Sequence, residues 1–244
     1  MNVYHIPSWD ESVFLGMGKW LSSSGKVGLW EEIRPPGLPI VLSLVEKTSL
    51  NYVIMADFLL MAFTLGILTL TYLISFRLFD KNTALIATIL TFITPIIFHY
   101  SGRILTGIPA LFFCLLALYF FLRKDYTLAS ISCWSAFIFR YPAGLIYPII
   151  GLLILTLYYN KGYKNLWKNI KKEPAPLLKF NLTFILLTTA LLATNKLFYG
   201  SFLQPIIFAA QHQSTFAGNI HGASYVLFYP LVLVSSNLFF LFAV

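Results

Sequence analysis

Charged residues are scarce in this chain of 244 residues, at 11% of the sequence, against about a quarter in soluble domains. Apolar residues make up 58%, aromatic residues make up 17%, and the mean hydropathy is +0.78. The 23 Phe and 14 Tyr exclude an intrinsically disordered chain, which would be poor in aromatic residues. The composition is typical of an integral membrane protein.

Acidic residues are the scarcer of the two charge classes, with nine Asp and Glu against seventeen Lys and Arg, so the net charge is +8. A basic excess of this size can indicate nucleic-acid binding. In a membrane protein, however, Lys and Arg concentrate in the loops that stay in the cytoplasm. We therefore interpret the basic residues as markers of the cytoplasmic loops and expect no nucleic-acid partner.

Residues that bind metals or nucleotides are also few. The two cysteines, Cys114 and Cys133, both lie in apolar stretches, which favours core-filling thiols over a disulfide or a metal site. His212 and His221 are nine residues apart with neither Cys nor an acid between them, a poor metal signature. No Gly-rich phosphate loop is present. The sequence indicates no metal ligand, although a divalent metal cofactor remains compatible with it.

Long apolar runs, in contrast, fill most of the chain. A membrane-spanning helix needs about 20 mostly apolar residues, and the stretches that qualify are 52–76, 83–99 running on to 103, 107–122, 141–159, 179–197 and 224–244. Two shorter apolar runs cover 37–45 and 126–139. The sequence therefore predicts an all-α polytopic membrane protein with about seven transmembrane helices and interfacial helices in its first extracytoplasmic loop.

The basic loops predict which segments share a side of the membrane. Basic residues cluster at Arg77/Lys81, at Arg123/Lys124 and in the Lys-rich run 161–172, and such loops stay cytoplasmic. An even number of crossings must then separate Lys124 from Lys161, so 126–139 and 141–159 should form a hairpin. Its tip is Arg140-Tyr141-Pro142, and the remaining outside segments are 1–51, 99–107 and 198–223.

This scheme divides the chain into an extracytoplasmic loop, 1–51, and a transmembrane helical domain, 52–244. Residues 1–34 are polar and have no helix before them to carry them across the membrane, and the last apolar run stops at Val244 without a polar end. We expect a fragment that lacks a first transmembrane helix and a C-terminal portion. The alternative is a complete short protein with an unusual N-terminal translocation.

Polar residues gather in the first outside segment, which holds Asp10, Glu11, Glu31, Glu32 and Arg34. Asp10-Glu11 begins a helix-like stretch whose apolar face should lie against the membrane through Val13, Met17, Trp20 and Leu21. Two roles are open for Asp10. It can cap this helix, with Glu11 favouring the helix dipole, and it can act as a catalytic carboxylate. The two roles are compatible.

Arg34 precedes two prolines and a glycine, Pro35-Pro36-Gly37. Proline fixes its own φ angle and keeps the preceding residue out of the helical region, so Arg34 is held beside a rigid turn. Two interpretations remain open. The side chain can be an interfacial cation that extends to water, or it can be a ligand for a lipid phosphate.

The pattern of Asp10-Glu11, Phe14, Gly25 and Arg34-Pro35-Pro36 resembles the first extracytoplasmic loop of the GT-C glycosyltransferases. The nearest branch is similar to the protein mannosyltransferases that use dolichyl-phosphate mannose, with the lipid A aminoarabinose transferases as relatives. The resemblance extends over most of the chain through short motifs: Arg77-Leu78-Phe79, Pro95, Ser101-Gly102-Arg103, Pro109-Ala110-Leu111-Phe112-Phe113, Arg123-Lys124, Arg140-Tyr141-Pro142 and Tyr199-Gly200. One departure is Gly107, where relatives often have an acid.

The resemblance implies a multi-pass enzyme of a membrane, most simply a prokaryotic plasma membrane. It would transfer mannose or a related hexose from a polyprenyl (dolichyl) phosphate to an extracytoplasmic protein, lipid or glycan acceptor, with inversion. Asp10 would be the general base, and Glu11 would orient the acceptor or tune Asp10. Arg34, Arg103 and Arg140 would bind the donor phosphate. The alternative is a non-catalytic or transporter-like membrane protein, including a degenerate, truncated relative of these enzymes.

Overall fold

A computed structural model describes residues 6–48, 50–159, 170–209 and 211. The structure is 79% helical, and its described residues contain no β-strand. The helices are α1 (Trp9–Ser22), α2 (Gly37–Glu46), α3 (Tyr52–Leu78), α4 (Lys81–Ile93), α5 (Pro95–Tyr100), α6 (Gly107–Leu122), α7 (Tyr126–Phe139), a 3-10 helix (Tyr141–Leu145), α8 (Ile146–Tyr159) and α9 (Ala175–Tyr199).

Three helical stretches in the described chain are long and apolar enough to cross a membrane: Tyr52–Leu78, Tyr141–Tyr159 and Ala175–Tyr199. The other apolar helices are shorter. The 16 residues of α6 extend for about 24 Å at 1.5 Å per residue. A hydrocarbon core is about 30 Å thick. The helix lengths thus support a helical membrane protein, but fewer than seven of the described helices are long enough to span the membrane. The predicted last span, 224–244, lies outside the described residues.

The prediction of one continuous helix over 83–99, running on to 103, is wrong. Helix α4 ends at Ile93, Thr94 is extended (φ −60°, ψ 121°), and α5 covers only Pro95–Tyr100. The cause is Pro95, which has no N–H to donate and forces the residue before it out of the helical region. The chain from Ser101 to Thr106 is then free to bend inward, and Ile104 is fully buried.

Asp10 does not cap α1, so the predicted capping role is corrected. The N-cap is Ser8, whose backbone N–H donates to Oε2 of Glu11 at 2.7 Å. This is the reciprocal half of a capping box, in which the third residue of a helix satisfies the N-cap N–H. Asp10 is the second residue of the helix, and its carboxylate is therefore available for contacts outside the helix.

The apolar face of α1 packs against protein, which corrects the expectation that it lies on the membrane. Val13 is 3% exposed and Met17 is fully buried, and both belong to one cluster with Leu38 and Leu42 of α2. The approach is close because Gly18 has no side chain: an ideal Cβ there would lie 2.9 Å from Cβ of Leu42. The segment before α3 therefore folds as a compact helical pair.

The remaining helices pack around two apolar clusters. The first continues from α1 and α2 into α3 and α6, where Phe63 contacts Phe112 and Phe113. The second joins α6, α7, α8 and α9 through Ala117, Ala129, Cys133, Ile150, Ile154, Tyr158 and Phe180. Both cysteines are free, with Cys133 buried and Cys114 half-buried. These thiols fill space between helices, as the sequence predicts.

The predicted tip at Arg140 is a helix break. Helix α7 ends at Phe139, Arg140 is extended (φ −156°, ψ 112°), and the 3-10 helix that starts at Tyr141 leads into α8. Pro142 lies in the first turn of that helix, where a missing N–H costs no intrahelical hydrogen bond. The break leaves Arg140 exposed beside the start of α6.

Candidate active site

The centre of the candidate site is the guanidinium of Arg34. Its Nη2 donates to Oδ1 of Asp10 at 2.7 Å, and its Nε donates to Oε2 of Glu31 at 2.7 Å. The group also lies over the ring of Phe14, 5.0 Å from the ring centroid. The Arg34 side chain is 19% exposed, whereas that of Asp10 is 58% exposed. The carboxylate of Asp10 therefore faces solvent, and the guanidinium of Arg34 that holds it is itself fixed in place.

The environment of Arg34 fixes its charge. Desolvation by burial lowers the pKa of Arg34, but hydrogen bonds and charge interactions with Glu31 and Asp10 outweigh it, so the net pKa is raised above its ordinary value. The guanidinium is then cationic at any accessible pH. Two carboxylates on one fork also fix its plane, because the guanidinium donors lie in a rigid geometry.

Glu11 is fully buried and connects two segments that are far apart in sequence. Its Oε2 accepts from the N–H of Ser8 at 2.7 Å, and its Oε1 accepts from the N–H of Ile104 at 3.0 Å. Arg103 Nη1 lies 3.7 Å from Oε2. A buried carboxylate is tolerated only with such partners. Glu11 therefore fixes the 101–106 segment against the start of α1 and faces no solvent.

Arg103 and Arg140 approach this centre from different elements. The Arg103 side chain is 38% exposed and is paired with Glu11. Arg140 is exposed, and its Nη1 lies 3.3 Å from the position that a Cβ of Gly107 would occupy. Both arginines therefore lie near the segment that leads into α6. The structure contains no hydrogen bond or ion pair between Arg140 and Asp10, Glu11, Arg34 or Arg103.

The turn after Arg34 lies against the end of α7. An ideal Cβ at Gly37 would be 2.8 Å from the carbonyl oxygen of Ile138, so only glycine permits this approach. Ile138 lies two residues before Arg140. The five predicted site residues are thus carried by α1, the Arg34 turn, the 101–106 segment and the end of α7, which all meet at one end of the helices.

Two contacts that the sequence does not reveal close the same end. Trp30 Nε1 donates to the hydroxyl oxygen of Tyr199 at 2.7 Å, and Gln204 Nε2 donates to Oε2 of Glu32 at 2.9 Å. Trp30 also contacts Trp20, with ring centroids 5.2 Å apart. Tyr199-Gly200 and the acids at 31 and 32 are visible as sequence features, but a partner 169 residues away gives no local signal.

The described residues contain no group of three or more His, Cys, Asp or Glu that could hold a metal ion. His212 and His221 lie outside the described residues. The predicted outside loop 198–223 is described as far as 209 and at 211, and its described part contacts the first segment through Tyr199 and Gln204.

Comparisons with protein-family models, with curated proteins and with solved structures find no match for this chain. The resemblance to GT-C enzymes therefore rests on the motifs in the sequence.

Proposed function

We propose that this chain is a membrane glycosyltransferase of the GT-C type, which transfers a hexose such as mannose from a polyprenyl phosphate to an extracytoplasmic acceptor with inversion. The observation that carries the proposal is the solvent-exposed carboxylate of Asp10, held 2.7 Å from the half-buried guanidinium of Arg34. Such a pair combines a proton acceptor with a cation that can stabilise a leaving phosphate.

In this proposal Asp10 is the general base. Its Oδ1 accepts from Arg34, which sets the orientation of the carboxylate, and its exposed side chain can meet a hydroxyl group of the acceptor. The carboxylate removes the proton of that hydroxyl as the oxygen attacks the anomeric carbon. The bond from the anomeric carbon to the phosphate oxygen breaks on the opposite face, which gives inversion.

Arg34 and Arg103 supply positive charge beside the bond that breaks. Arg34 shares its fork with Asp10 and Glu31, and Arg103 lies beside Glu11, so neither brings a full uncompensated charge. Arg140 adds the third cation. A preorganised cation contributes most when charge develops on the leaving group, because no reorganisation is needed at that moment.

Glu11 has a positioning role in this scheme. It is fully buried, so it cannot touch an acceptor in this arrangement, but it fixes Arg103 through the Ile104 N–H and the ion pair. It also accepts from Ser8 at the start of the helix that carries Asp10. Glu11 therefore sets the spacing between the base and the second arginine.

The proposal includes about seven transmembrane helices, with the site on the extracytoplasmic side. The supporting observation is that the first segment, the end of α7 and the end of α9 meet at one end of the helices. In a variant with Cys114→Ala and Cys133→Ala, we expect a membrane-impermeant thiol reagent to label Ser23→Cys in intact cells and to leave Asn82→Cys unlabelled. The reverse pattern contradicts the topology.

The test of activity measures sugar transfer from radiolabelled polyprenyl-phosphate mannose. The membranes come from cells that express the whole coding sequence in which this chain is encoded. We expect Asp10→Asn to lower transfer by about 100-fold or more, the usual contribution of a general base, while donor binding is retained. Arg34→Ala should weaken both donor binding and transfer, because it removes a contact present before and during the reaction.

Matched controls are Asp125→Asn and Arg77→Ala, an N-cap residue of α7 and a residue in the last turn of α3, neither of which belongs to the site. Both should transfer sugar as the unmodified protein does. Near-normal transfer by Asp10→Asn would remove the catalytic assignment. Donor binding without any transfer by the unmodified protein would favour the non-catalytic membrane protein.

A further inference from the structure

An apolar groove opens between α9 and the chain that leads into α8. It encloses about 420 Å³ between the end of α7, the 3-10 helix, the start of α8 and the middle of α9. Its lining includes Phe137, Tyr141, Pro142, Leu145, Phe184 and Thr188. Leu145 is 68% exposed, so the described residues leave this groove, which we call the α8–α9 groove, open.

Thr188 differs in its hydrogen bonds from Thr183 and Thr194 of the same helix. Thr183 and Thr194 each donate to the carbonyl oxygen four residues earlier, at 2.7 and 2.9 Å. Oγ1 of Thr188 is buried and has no hydrogen-bond partner among the described residues. Threonine uses two χ1 rotamers in helices, so a rotation can turn this hydroxyl toward the groove. A hydroxyl group in such a place favours a polar partner on a neighbouring helix.

The predicted span 224–244 has polar residues near its middle. It lies outside the described residues, and in its sequence the triplet Ser235-Ser236-Asn237 interrupts a long apolar run. The amide of Asn237 has two donor hydrogens and an acceptor oxygen, and lipid chains can satisfy none of them. Polar side chains of this kind bond across membrane helices. The triplet is therefore expected to face protein.

The positions of Thr188 and the triplet along their segments match. Thr188 is eleven residues before Tyr199, the last residue of α9, which is about 16 Å at 1.5 Å per residue. Tyr is enriched at membrane interfaces, so Tyr225 is expected to mark the end of the predicted span that follows α9. Ser236 is eleven residues after Tyr225, again about 16 Å along a helix. In an antiparallel pair the two polar groups would meet at one depth.

The connecting chain is long enough for this arrangement. The last described residue is Gln211, and the thirteen residues from there to position 224 can extend for up to about 43 Å. A helix is about 10–12 Å in diameter, so the predicted span can reach either side of α9. Consecutive elements are usually neighbours in space, which favours a groove that α9 itself borders.

We infer that the predicted span 224–244 packs in the α8–α9 groove as a helix antiparallel to α9, with Ser235-Ser236-Asn237 beside Thr188. A lipid chain fits the apolar lining but offers no hydrogen bond to Thr188. A second copy of the chain carries the same triplet, but the span of the same chain is tethered to α9 and so has the higher effective concentration at the groove.

The first test is a disulfide between the two helices. The full chain carries Cys114→Ala and Cys133→Ala, with a protease site inserted after Ser214, and is oxidised in membranes before cleavage. Thr188→Cys should form a disulfide with a cysteine at 235, 236 or 237, because successive helical residues point about 100° apart and a disulfide needs Cα atoms within about 7 Å. The two halves then remain one band on a non-reducing gel.

The antiparallel register supplies a second pair and a control. Phe184 is one turn before Thr188 and also lines the groove, so Phe184→Cys should form a disulfide with a cysteine at 239, 240 or 241. The matched control is Leu186→Cys, because Leu186 is 61% exposed and lies about 200° around the helix from Thr188. It should form no disulfide with 235–237. Size-exclusion chromatography in detergent identifies a variant that does not fold, and the other pair then gives the answer.

The second test measures the polar contact through the dissociation constant of the two halves after cleavage in detergent. Thr188→Val should weaken their association by about threefold, the average contribution of a hydrogen bond between membrane helices. Combining Ser235→Ala, Ser236→Ala and Asn237→Leu should weaken it at least as much. Adding Thr188→Val to that variant should weaken it no further, because the contact is already lost. Thr194→Val is the control, since Thr194 bonds within α9, and it should change nothing.

Four results would contradict this packing. The absence of disulfides at both 235–237 and 239–241 would leave the groove to lipid, and disulfides that join two chains would assign it to a second copy. Disulfides from Leu186→Cys as abundant as those from Thr188→Cys would show contact without a fixed register. Full additivity of Thr188→Val with the triplet substitutions would show that these side chains do not touch. Sugar transfer is not measured in either experiment, so both results are independent of the proposed function.

Discussion

The first segment, residues 6–48, and helix α9 differ in how they bury their side chains. Six of the 14 residues of α1 are buried, including Glu11 and Met17. In α9, Phe180 and Asn195 are the buried residues among 25. In the apolar 18-residue stretch of that helix, 6% of the residues are buried, against 28% in the corresponding stretch of α3. The segment with more polar residues is therefore the better packed one.

The physical reason is the solvent. Lipid chains are as apolar as leucine, so an apolar helix gains little by moving its surface from lipid to protein. An amphipathic segment at the membrane edge meets water, and burial there is driven as in a soluble protein. Stability should thus depend on single side chains in α1 and α2, whereas most side chains of α9 should be replaceable.

The largest effect should follow from Glu11→Ala. The change leaves the N–H groups of Ser8 and Ile104 without this acceptor and removes the partner of Arg103. Breaking a buried charge pair on one side costs about 3–5 kcal/mol. Thermal unfolding in detergent should show a large loss of stability, and an unchanged unfolding temperature would contradict the assignment of Glu11 as the connection between α1 and the 101–106 segment.

A core substitution tests the contrast directly. Met17 is fully buried, and Met17→Ala should cost about 3 kcal/mol, within the range for large-to-small changes in a core. Leu186→Ala is the matched change on α9, where Leu186 is 61% exposed, and it should change stability by less than about 0.5 kcal/mol. Comparable losses in the two variants, measured in the same detergent, would abolish the distinction between the regions.

Asp10→Ala should have a smaller effect on stability than Glu11→Ala, although the residues are neighbours. The Asp10 side chain is 58% exposed, and an ion pair of this kind contributes about 1 kcal/mol or less. Unfolding temperature reports the stability, and transfer of sugar reports the proposed catalytic role. A loss of stability as large as that of Glu11→Ala would make Asp10 a structural residue.

The smallest effect should come from Asp80, the N-cap of α4. Hydrogen bonds from the backbone and side chain of Thr83 lower the pKa of Asp80 from 3.8, and the N–H of Asn82 adds to this. A carboxyl group whose pKa is lower in the folded state contributes stability above pH 3.8, and this contribution is lost as the pH falls through the folded value. The unfolding temperature of Asp80→Asn should therefore be slightly lower at neutral pH and should converge with that of the unmodified protein in acid.

Helix bounds were predictable where the apolar run and the helix coincide. The runs at 107–122 and 126–139 match α6 and α7, because Asp125 and the residues at the turn interrupt the apolar pattern. The break at Thr94 was missed, although Pro95 is its local cause, because hydrophobicity continues across it. At this position Pro95 marks a break that the hydropathy of the run does not show.

The site was predictable as a set of residues and not as a set of contacts. Asp10 and Arg34 are 24 residues apart and form the ion pair, which their concentration in one segment suggests. The burial of Glu11 depends on the N–H of Ile104, 93 residues away, and the proximity of Arg140 to Gly107 depends on how α6 and α7 pack. Neither distance has a signature in the sequence.

The hydrogen bond between Trp30 and Tyr199 also has a consequence for biosynthesis. A ribosome adds about 5–20 residues per second, and the two partners are separated by 169 residues. Trp30 therefore leaves the ribosome about 10–30 s before its partner does. During this interval the N-terminal segment is without its contact to α9, so any chaperone that protects the nascent chain should act on Trp30 and its neighbours before it acts on the helices that follow.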